Sequence, residues 1–326
     1  MHLPRFSSAL LAAAASLALL AASPVSAAET KVVKITAIVE HPALDACRKG
    51  TLDELAAEGF TEGKNLSVEF QSAQGDIGTA GQIAKKFVGD NPDVILAIAT
   101  PSAQAAVAAS HGAIPIVFSA VSDPVGAKLV SDLAKPGANV TGVTDRLPLE
   151  KHLALIKEIS PKLKTLGALY NPGEANSVSE INRLKTIAAA QGITVLEGPA
   201  PDSNSVQGAA RSLVGKVDAF YIPTDNTVVS ALESVVKVGI DAKLPVYAGD
   251  TASVPRGAIA AVGFDYYDVG RQTGKIIGRI LKGEKPATIA VEGVDKTDLS
   301  VNPASAAKMG VTLPEAVIKR AKDVVK

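Results

Sequence analysis

Two short apolar runs, residues 94–99 and 114–118, constrain the fold more than any other feature of the sequence. Both are bounded by turn residues, and neither shows the polar alternation of a strand with one face in water. They therefore predict adjacent, fully buried strands of a parallel sheet. Along the rest of the chain, predicted strands and helices alternate, which is typical of an open parallel sheet covered by helices on both faces.

A helix-start signal follows each of these two strands. Thr100 and Pro101 take the cap and first-turn positions after the first strand, and Asp123 and Pro124 take them after the second. Because parallel strands end at the same edge of a sheet, the free backbone N–H groups of both turns converge on one crevice, which favours an anion. For either turn alone, helix capping is the alternative. The residues expected at this crevice are Thr100, Pro101, Ser102, Ser119, Ala120 and Asp123.

The first 27 residues have the features of an export leader. Arg5 precedes an apolar stretch, and Val25, Ser26 and Ala27 form the small-x-small pattern of a signal-peptidase site, so cleavage is expected after Ala27. No later segment is apolar enough to span a membrane. The single cysteine, Cys47, lies well past this site, so neither a disulfide within the chain nor a lipid-anchor cysteine is expected. These features predict a soluble periplasmic protein.

A mature chain of about 300 residues is longer than one hydrophobic core usually serves, so two doubly wound parallel-sheet lobes are expected. The first lobe is predicted to comprise residues 28–145 and about 254–291. The second is predicted to comprise residues 146–253 and about 292–326. Hinge crossovers are expected near residues 144–148, 253–257 and 292–298.

Charge and composition argue against several classes of partner. Lys and Arg number 33 and Asp and Glu also number 33, so no basic excess is available to attract nucleic acid or an anionic membrane. The absence of tryptophan and the few aromatic residues argue against a base-stacking surface. The sequence has no G-x-S-x-G, H-E-x-x-H or Walker motif, and its histidines have no partner at metal-ligand spacing. No cofactor, metal or enzymatic activity is therefore expected.

Carboxylates follow the predicted strands of the second lobe. Glu174, Asp225 and Asp250 each stand where a strand gives way to a loop, and Asn176 shares the loop of Glu174. A first lobe that binds an anion and faces an acidic second lobe suits a zwitterion, with Asp225 as the expected partner of its cation and Glu174 or Asp250 as substitutes. Each carboxylate has a role as a cap or loop residue as its alternative. His41, directly after the first strand, is either a ligand contact or an ordinary helix-start residue.

Several motifs together carry a family resemblance. They are residues 40–45 (EHPALD), 73–76 (AQGD), 99–104 (ATPSAQ), 121–124 (VSDP), 136–143 (PGANVTGV), 171–177 (NPGEANS) and 264–270 (FDYYDVG). With the leader, they resemble the periplasmic substrate-binding proteins of ABC importers, in the branch similar to bacterial tryptophan- and phenylalanine-binding components. The likeness extends over nearly the whole mature chain.

This resemblance implies a type I binding-protein fold, in which two lobes joined by three crossovers close on an amino acid. The ligand carboxylate would rest on residues 100–102 and 119–120, and the ammonium would meet acidic residues of the second lobe. An apolar or aromatic ligand side chain could be lined by Tyr170, Tyr221, Phe118 or Pro101. The resemblance also implies a monomer that delivers its ligand to an ABC permease in the inner membrane. A ligand-sensing subunit for a membrane receptor is the alternative, and an exported enzyme using the same crevice is a weaker one.

Overall fold

The computed structural model describes residues 1–2, 30–294 and 296–325. The predicted cleavage site after Ala27, and all of the predicted leader except its first two residues, lie outside the described residues. Among the helices of the described part, none combines the length and the apolar character needed to cross a membrane.

The described strands and helices alternate through most of the chain. In chain order the strands are β1 Lys31–Ala37, β2 Leu66–Ser72, β3 Val94–Ile98, β4 Ile116–Ser119, β5 Val140–Thr144, β6 Thr165–Tyr170, β7 Thr194–Pro199, β8 Ala219–Ile222, β9 Val246–Ala248, β10 Ala260–Gly263, β11 Glu292–Gly293, β12 Asp298–Val301 and β13 Asp323–Val324. The helices are α1 Pro42–Ala57, α2 Ile77–Gly89, α3 Thr100–Ser110, α4 Leu149–Ile159, α5 Ala175–Ala189, α6 Val206–Leu213, α7 Asn226–Ser230, α8 Leu232–Ala242, α9 Tyr266–Leu281, α10 Pro303–Lys308 and α11 Glu315–Arg320.

Two sheets divide these strands and confirm the predicted α/β class. The first has the order β11-β5-β4-β3-β1-β2 and is parallel throughout. The second has the order β13-β12-β10-β9-β8-β6-β7 and is parallel except where β10 meets β12. The strands β3 and β4 that carried the sequence argument are buried along their whole length. We call the first sheet with its helices lobe 1 and the second with its helices lobe 2.

The chain passes between the two sheets three times, between β5 and α4, between β10 and α9, and between β11 and β12. The middle passage corrects the predicted lobe assignment. Residues 260–263, expected to return to lobe 1, pair with β9 in lobe 2, where Ala260 lies opposite Tyr247. Conversely, Glu292 and Gly293, expected in lobe 2, pair with β5 in lobe 1. The composition of a short buried strand does not show which of the two sheets it joins. Its sheet is decided by pairing with strands that are distant in the chain.

A second correction concerns the segment after β4. The cap-and-proline signal at Asp123 and Pro124 predicts a helix, but residues 124–128 form consecutive turns. The Asp123 side chain does accept a hydrogen bond from the backbone N–H of Gly126, at 2.9 Å, as a capping side chain does. Gly126 is a poor helix former, and Lys128 has φ 60°, a left-handed conformation that cannot continue a helix. Asp123 and Pro124 thus begin a turn, and no helix follows it.

Helix α9 returns to lobe 1 by packing backbone to backbone against α1. A Cβ atom on Gly270 would lie 2.0 Å from the carbonyl oxygen of Cys47, and one on Gly50 would lie 2.1 Å from that of Tyr267. The Thr51 hydroxyl also donates to the Gly270 carbonyl across this seam, at 3.1 Å. Only glycine permits such an approach. The close contact brings the N-terminus of α9, and Tyr266 with it, to the edge of the first sheet.

Candidate functional site

A narrow cleft lies between the carboxyl-end edges of the two sheets. Most of its lining residues follow directly after strands, where parallel α/β sheets bind their ligands. From lobe 1 the lining residues are His41, Ala43, Leu44, Ala120, Asp145 and Tyr266, and from lobe 2 they are Asn176, Thr224, Asp225, Asn226, Val229 and Asp250.

Asp145 is the carboxylate that lobe 1 contributes. It follows β5, is 2 % exposed, and accepts hydrogen bonds from the Ser122 hydroxyl at 3.0 Å and from the Tyr266 hydroxyl at 2.7 Å. Burial raises the pKa of its carboxyl group despite these two donors. Asp145 was not among the predicted site residues, although it follows a strand as Asp225 and Asp250 do.

Asp225 is tied into lobe 2 by three hydrogen bonds. Its Oδ1 accepts from the backbone N–H of Val228 at 2.7 Å, which caps α7, and its Oδ2 accepts from the backbone N–H of Asn171 and the Ser177 hydroxyl, both at 2.6 Å. Burial, with the nearby Glu174 as the second cause, raises the pKa of Asp225 to about 8. The capping alternative is therefore correct for this residue, which also lines the cleft.

Asp250 accepts its hydrogen bonds from residues close to it in the chain. Its Oδ1 accepts from the backbone N–H of Ser253 at 2.8 Å and its Oδ2 accepts from the hydroxyl of the same residue at 2.6 Å. The backbone N–H of Ala252 is a further donor. Burial raises the pKa of this carboxyl group, which is 3 % exposed. Asp250 thus brings a second carboxylate from lobe 2 to the cleft lining.

Glu174 lies behind the cleft lining rather than in it. Its carboxylate accepts from the backbone N–H and hydroxyl of Thr227, at 3.1 and 2.8 Å, and from the backbone and side-chain N–H groups of Asn226. Its other contact is the side-chain amide of Asn176. Glu174 therefore orients the first residues of α7, and the N–H and hydroxyl groups of Asn226 and Thr227 provide its hydrogen-bond donors.

Asn176 presents an unsatisfied oxygen. Its Nδ2 donates to the Thr224 carbonyl at 3.0 Å and lies 3.3 Å from the Ser177 hydroxyl, so the amide nitrogen faces lobe 2. Its Oδ1 is buried and has no hydrogen-bond partner within the part of the chain that the structure describes. Because a buried carbonyl oxygen without a donor costs free energy, this oxygen is suited to an incoming N–H or O–H group.

His41 precedes α1 and lines the cleft, but it forms no side-chain cap. Burial and the nearby Arg256 lower the pKa of its imidazole to about 3, so the ring is neutral at physiological pH. No Lys or Arg occurs among the described residues that line the cleft. The cleft therefore combines three buried carboxyl groups, from Asp145, Asp225 and Asp250, with no cation in its described lining.

The start of α3 carries two buried hydroxyl groups without partners. Thr100 Oγ1 and Ser102 Oγ are buried and accept or donate no hydrogen bond within the described residues. Ala99, immediately before them, has φ 72° and ψ 158°, a region nearly restricted to glycine, and Ala120 after the neighbouring strand has φ 55°. Such strain is typical of functional sites. Of the predicted crevice residues around these turns, Ala120 lines the cleft whereas Thr100, Pro101 and Ser102 lie outside its lining.

Two other predicted site residues face elsewhere. The Ser119 hydroxyl lies 3.0 Å from Cys47 Sγ and 2.7 Å from Thr273 Oγ1, so it joins β4 to α1 and α9 in the core. Asp123 Oδ2 accepts from the Ser179 hydroxyl of lobe 2 at 2.6 Å, which makes it a contact between the lobes. Both residues lie at or after the end of β4, as predicted. The sequence does not show in which direction their side chains point.

The lobes also touch beside the cleft. The Ser122 hydroxyl lies 3.1 Å from the Thr224 hydroxyl. Since Ser122 donates its proton to Asp145, Thr224 is the donor in this contact. Together with the bond between Asp123 and Ser179, it shows the two lobes closed on each other.

The aromatic residues named for a side-chain pocket occupy other places. The Tyr221 hydroxyl pairs with His152 Nδ1 at 2.7 Å, Tyr170 donates to Glu197, and Phe118 is fully buried in β4. Tyr266 is the aromatic residue in the cleft lining, and sequence reasoning missed it because α9 reaches lobe 1 from a distant part of the chain. The remaining apolar lining consists of Ala43, Leu44, Ala120 and Val229. In residues 30–294 and 296–325, no group of three or more His, Cys, Asp or Glu side chains is arranged to hold a metal ion.

Comparisons with known proteins agree with this architecture. A family model described as ABC transporter substrate binding protein matches residues 32–325. A tyrosine-binding protein of Clostridioides difficile (strain R20291) is 42% identical over 272 residues, which are 83% of this chain and 79% of that protein.

Two solved structures differ in how well they superpose on this chain as a whole. An ABC domain from Streptococcus pneumonia in complex with L-Trp is 37% identical, with a TM-score of 0.88 over 91% of this chain and 100% of that one. The ligand-free, open structure of a substrate-binding protein with adhesive properties from Clostridium difficile is 42% identical, with a TM-score of 0.68 over 91% of this chain and 99% of that one. The present structure thus resembles the L-Trp complex more than the open protein, although the latter has the higher sequence identity.

Proposed function

Because the chain belongs to the ABC transporter substrate-binding proteins, we propose that it binds a free L-amino acid with an apolar or aromatic side chain between its lobes. In this proposal it works in the periplasm after loss of its leader, and passes the ligand to an ABC permease without changing it chemically. The partner is the permease in the inner membrane, and the binding protein acts as a monomer.

The observation that carries the proposal is the charge of the cleft. Asp145 and Asp250 are buried there without a Lys or Arg in the described lining, and His41 is neutral. Asp225, with a pKa of about 8, holds its proton at neutral pH and adds no charge. Burying carboxylates without a counter-ion is unfavourable, so the closed cleft favours a ligand that supplies a cation. The ammonium of an amino acid is such a group, whereas a neutral sugar supplies none.

The start of α3 supports a site for the other end of a zwitterion. Its backbone N–H groups have no partner within the helix, and the hydroxyls of Thr100 and Ser102 are free to donate. Ala120, at the end of the adjacent strand, belongs to the cleft lining. Because Thr100 and Ser102 lie outside the present lining, we propose that the ligand carboxylate binds at Ala120, on the side that faces the start of α3.

The apolar lining supports an apolar ligand side chain. Ala43, Leu44, Val229 and the ring of Tyr266 give that part of the cleft a hydrophobic surface. An aromatic ligand is favoured by two relatives, one named as a tyrosine-binding protein and the other solved with L-Trp.

A thermal-shift screen tests the proposal. The mature protein is heated with each common L-amino acid, with myo-inositol and glucose, and with sulfate and phosphate. A ligand present at about a hundred times its Kd stabilises by about 2.7 kcal/mol, which for a chain of this size raises Tm by on the order of 5–10 °C. We expect such a shift with L-tryptophan, L-tyrosine or L-phenylalanine, and recovery of the amino acid unchanged. A shift with a sugar and with no amino acid would contradict the proposal.

Transport is tested separately from binding. Deletion of the gene should abolish uptake of the radiolabelled amino acid identified in the screen, and expression of the protein together with the permease should restore it. Normal uptake in the deletion strain, combined with a lost transcriptional or chemotactic response to that amino acid, would instead support the sensing role.

A further inference from the structure

Two of the cleft carboxylates come from opposite lobes. Asp145 follows β5 in lobe 1 and Asp250 follows β9 in lobe 2, and both line the same cleft at 2 % and 3 % exposure. They are close enough that the charge of Asp250 raises the pKa of Asp145. Closure of the lobes therefore brings two anions towards each other in a space that excludes water.

These two carboxylates retain capacity to bind a ligand. Each oxygen of Asp145 accepts one hydrogen bond, from Ser122 or Tyr266. Asp250 accepts from the backbone N–H and hydroxyl of Ser253 and from the backbone N–H of Ala252. A carboxylate has about four lone-pair positions, so each has room for a further donor. Asp225 also accepts three bonds from within lobe 2, but with a pKa of about 8 it holds its proton at neutral pH.

An independent observation also indicates a missing donor. The Asn176 side chain lines the cleft, is 2 % exposed, and has its Oδ1 without a partner among the described residues, while its Nδ2 faces acceptors in lobe 2. An ammonium group has three N–H donors. One carboxylate from each lobe and this amide oxygen supply a matching set of three acceptors.

We propose that the ligand ammonium bridges Asp145 of lobe 1 and Asp250 of lobe 2, with Asn176 as the third acceptor, and that repulsion between the two carboxylates holds the ligand-free protein open. The inference rests on the proposed function and adds to it which residues bind the cation and why closure requires it. Without ligand, the two carboxylates repel each other across the cleft. An ammonium group between them is attracted to both. The same contact therefore favours an amino-acid ligand and stabilises the closed arrangement of the lobes.

Other charged groups near the pair do not neutralise it. Arg256 is the cation that lowers the pKa of Asp250, but its guanidinium is bound to Glu233 by two hydrogen bonds of 2.8 Å. His41 is neutral. Glu180, which lies near Asp145, has a pKa that burial raises to about 8, and it accepts a hydrogen bond from Arg183 at 3.1 Å. When Asp145 and Asp250 are ionised, no Lys or Arg in the described lining balances their charge.

The test uses Asp145→Asn and Asp250→Asn in the mature protein, with Asp241→Asn as a control that removes one exposed charge far from the cleft. Small-angle scattering at pH 8 gives the radius of gyration with and without L-tryptophan or L-tyrosine, and calorimetry gives the affinity. We expect each cleft variant to lose ten- to a hundred-fold in affinity, because a charged hydrogen bond contributes about 1.5–3 kcal/mol. We also expect its ligand-free radius to shrink towards the ligand-bound value of the parent, while the control matches the parent in both measurements.

The contraction without ligand is the decisive result, because a merely misfolded variant would expand. If both cleft variants keep the ligand-free radius of the parent, or bind the amino acid as tightly as the parent does, the bridge is refuted while the proposed function stands. If the parent protein binds no amino acid in the calorimeter, the proposed function fails and the bridge fails with it.

Discussion

Residue Asp225 shows how a single side chain combines two roles that sequence alone presents as alternatives. Its position after β8 predicted either a cap or a ligand contact, and the structure shows the cap together with a place in the cleft lining. The sequence could identify the strand end but not the burial, because Asn171 and Ser177, which bond its Oδ2, lie about fifty residues away in the chain. Asp145 was missed for a different reason, since the same strand-end rule applied in lobe 1 would have found it.

The raised pKa of Asp225 predicts how stability depends on pH. A carboxyl group with a pKa of about 8 in the folded protein holds its proton more tightly there than in the unfolded chain, whose ordinary value is 3.8. Folding therefore takes up a proton, and the stability that it contributes is lost as pH rises towards 8. Glu180, with a pKa raised to about 8, acts in the same direction. His41 and His152, whose pKa values are lowered to about 3 and about 4, act in the opposite direction only below about pH 6.5.

Between pH 6.5 and 8 we therefore expect the Tm of the ligand-free protein to fall, and the fall to be smaller in Asp225→Asn. Asparagine keeps the cap of α7 and removes the titrating group. Asp76→Asn is the matched control, because Asp76 caps α2 on the surface and the Thr79 backbone N–H lowers its pKa. Calorimetric scans of the three proteins at several pH values measure the slopes. Equal slopes in the parent and in Asp225→Asn would show that Asp225 is ionised throughout this range.

Helix α9 shows at the element scale what sequence reasoning could and could not provide. Its buried apolar face and its cap at Asp265 are local features that the sequence of this segment determines. Its neighbour was not predictable, because the seam with α1 depends on Gly50, Gly270 and Gly274 meeting across more than two hundred residues of chain. The same limitation explains why β10 was assigned to the wrong lobe and why Tyr266 was absent from the predicted site.

Gly270→Ala should destabilise the protein strongly. The new Cβ would lie 2.0 Å from the Cys47 carbonyl oxygen, so α1 and α9 must move apart, and overpacking of this kind costs about 1–3 kcal/mol or more. Gly81→Ala in α2 is the matched control, since its new Cβ would meet no described atom within 4 Å beyond its chain neighbours and the backbone of its own helix, and alanine is the better helix former. Urea unfolding gives both free energies. A Gly270→Ala variant as stable as Gly81→Ala would mean that the helices are not in backbone contact.

At the scale of the whole molecule, the two lobes meet beside the cleft and across it. Asp123 with Ser179, and Ser122 with Thr224, form hydrogen bonds across the boundary. In the described cleft lining, His41 Nδ1 and Asn176 Oδ1 have no hydrogen-bond partner. Sequence predicted two lobes, their α/β class and the edge where they meet, because strand and helix periodicity is a local property. It could not predict the charge balance of the closed cleft, which depends on which side chains from each lobe are brought together.

We propose that the cleft binds both the ammonium and the carboxylate of an amino acid. Isothermal titration with three related compounds tests each of these two contacts. L-Tryptophan carries both groups, tryptamine lacks the carboxylate, and indole-3-propionate lacks the ammonium, while all three keep the indole ring. The account predicts that L-tryptophan binds and that each truncated compound binds at least roughly ten-fold more weakly, because each leaves buried partners of one charged group unsatisfied. Binding of tryptamine or of indole-3-propionate as tight as that of L-tryptophan would contradict the account.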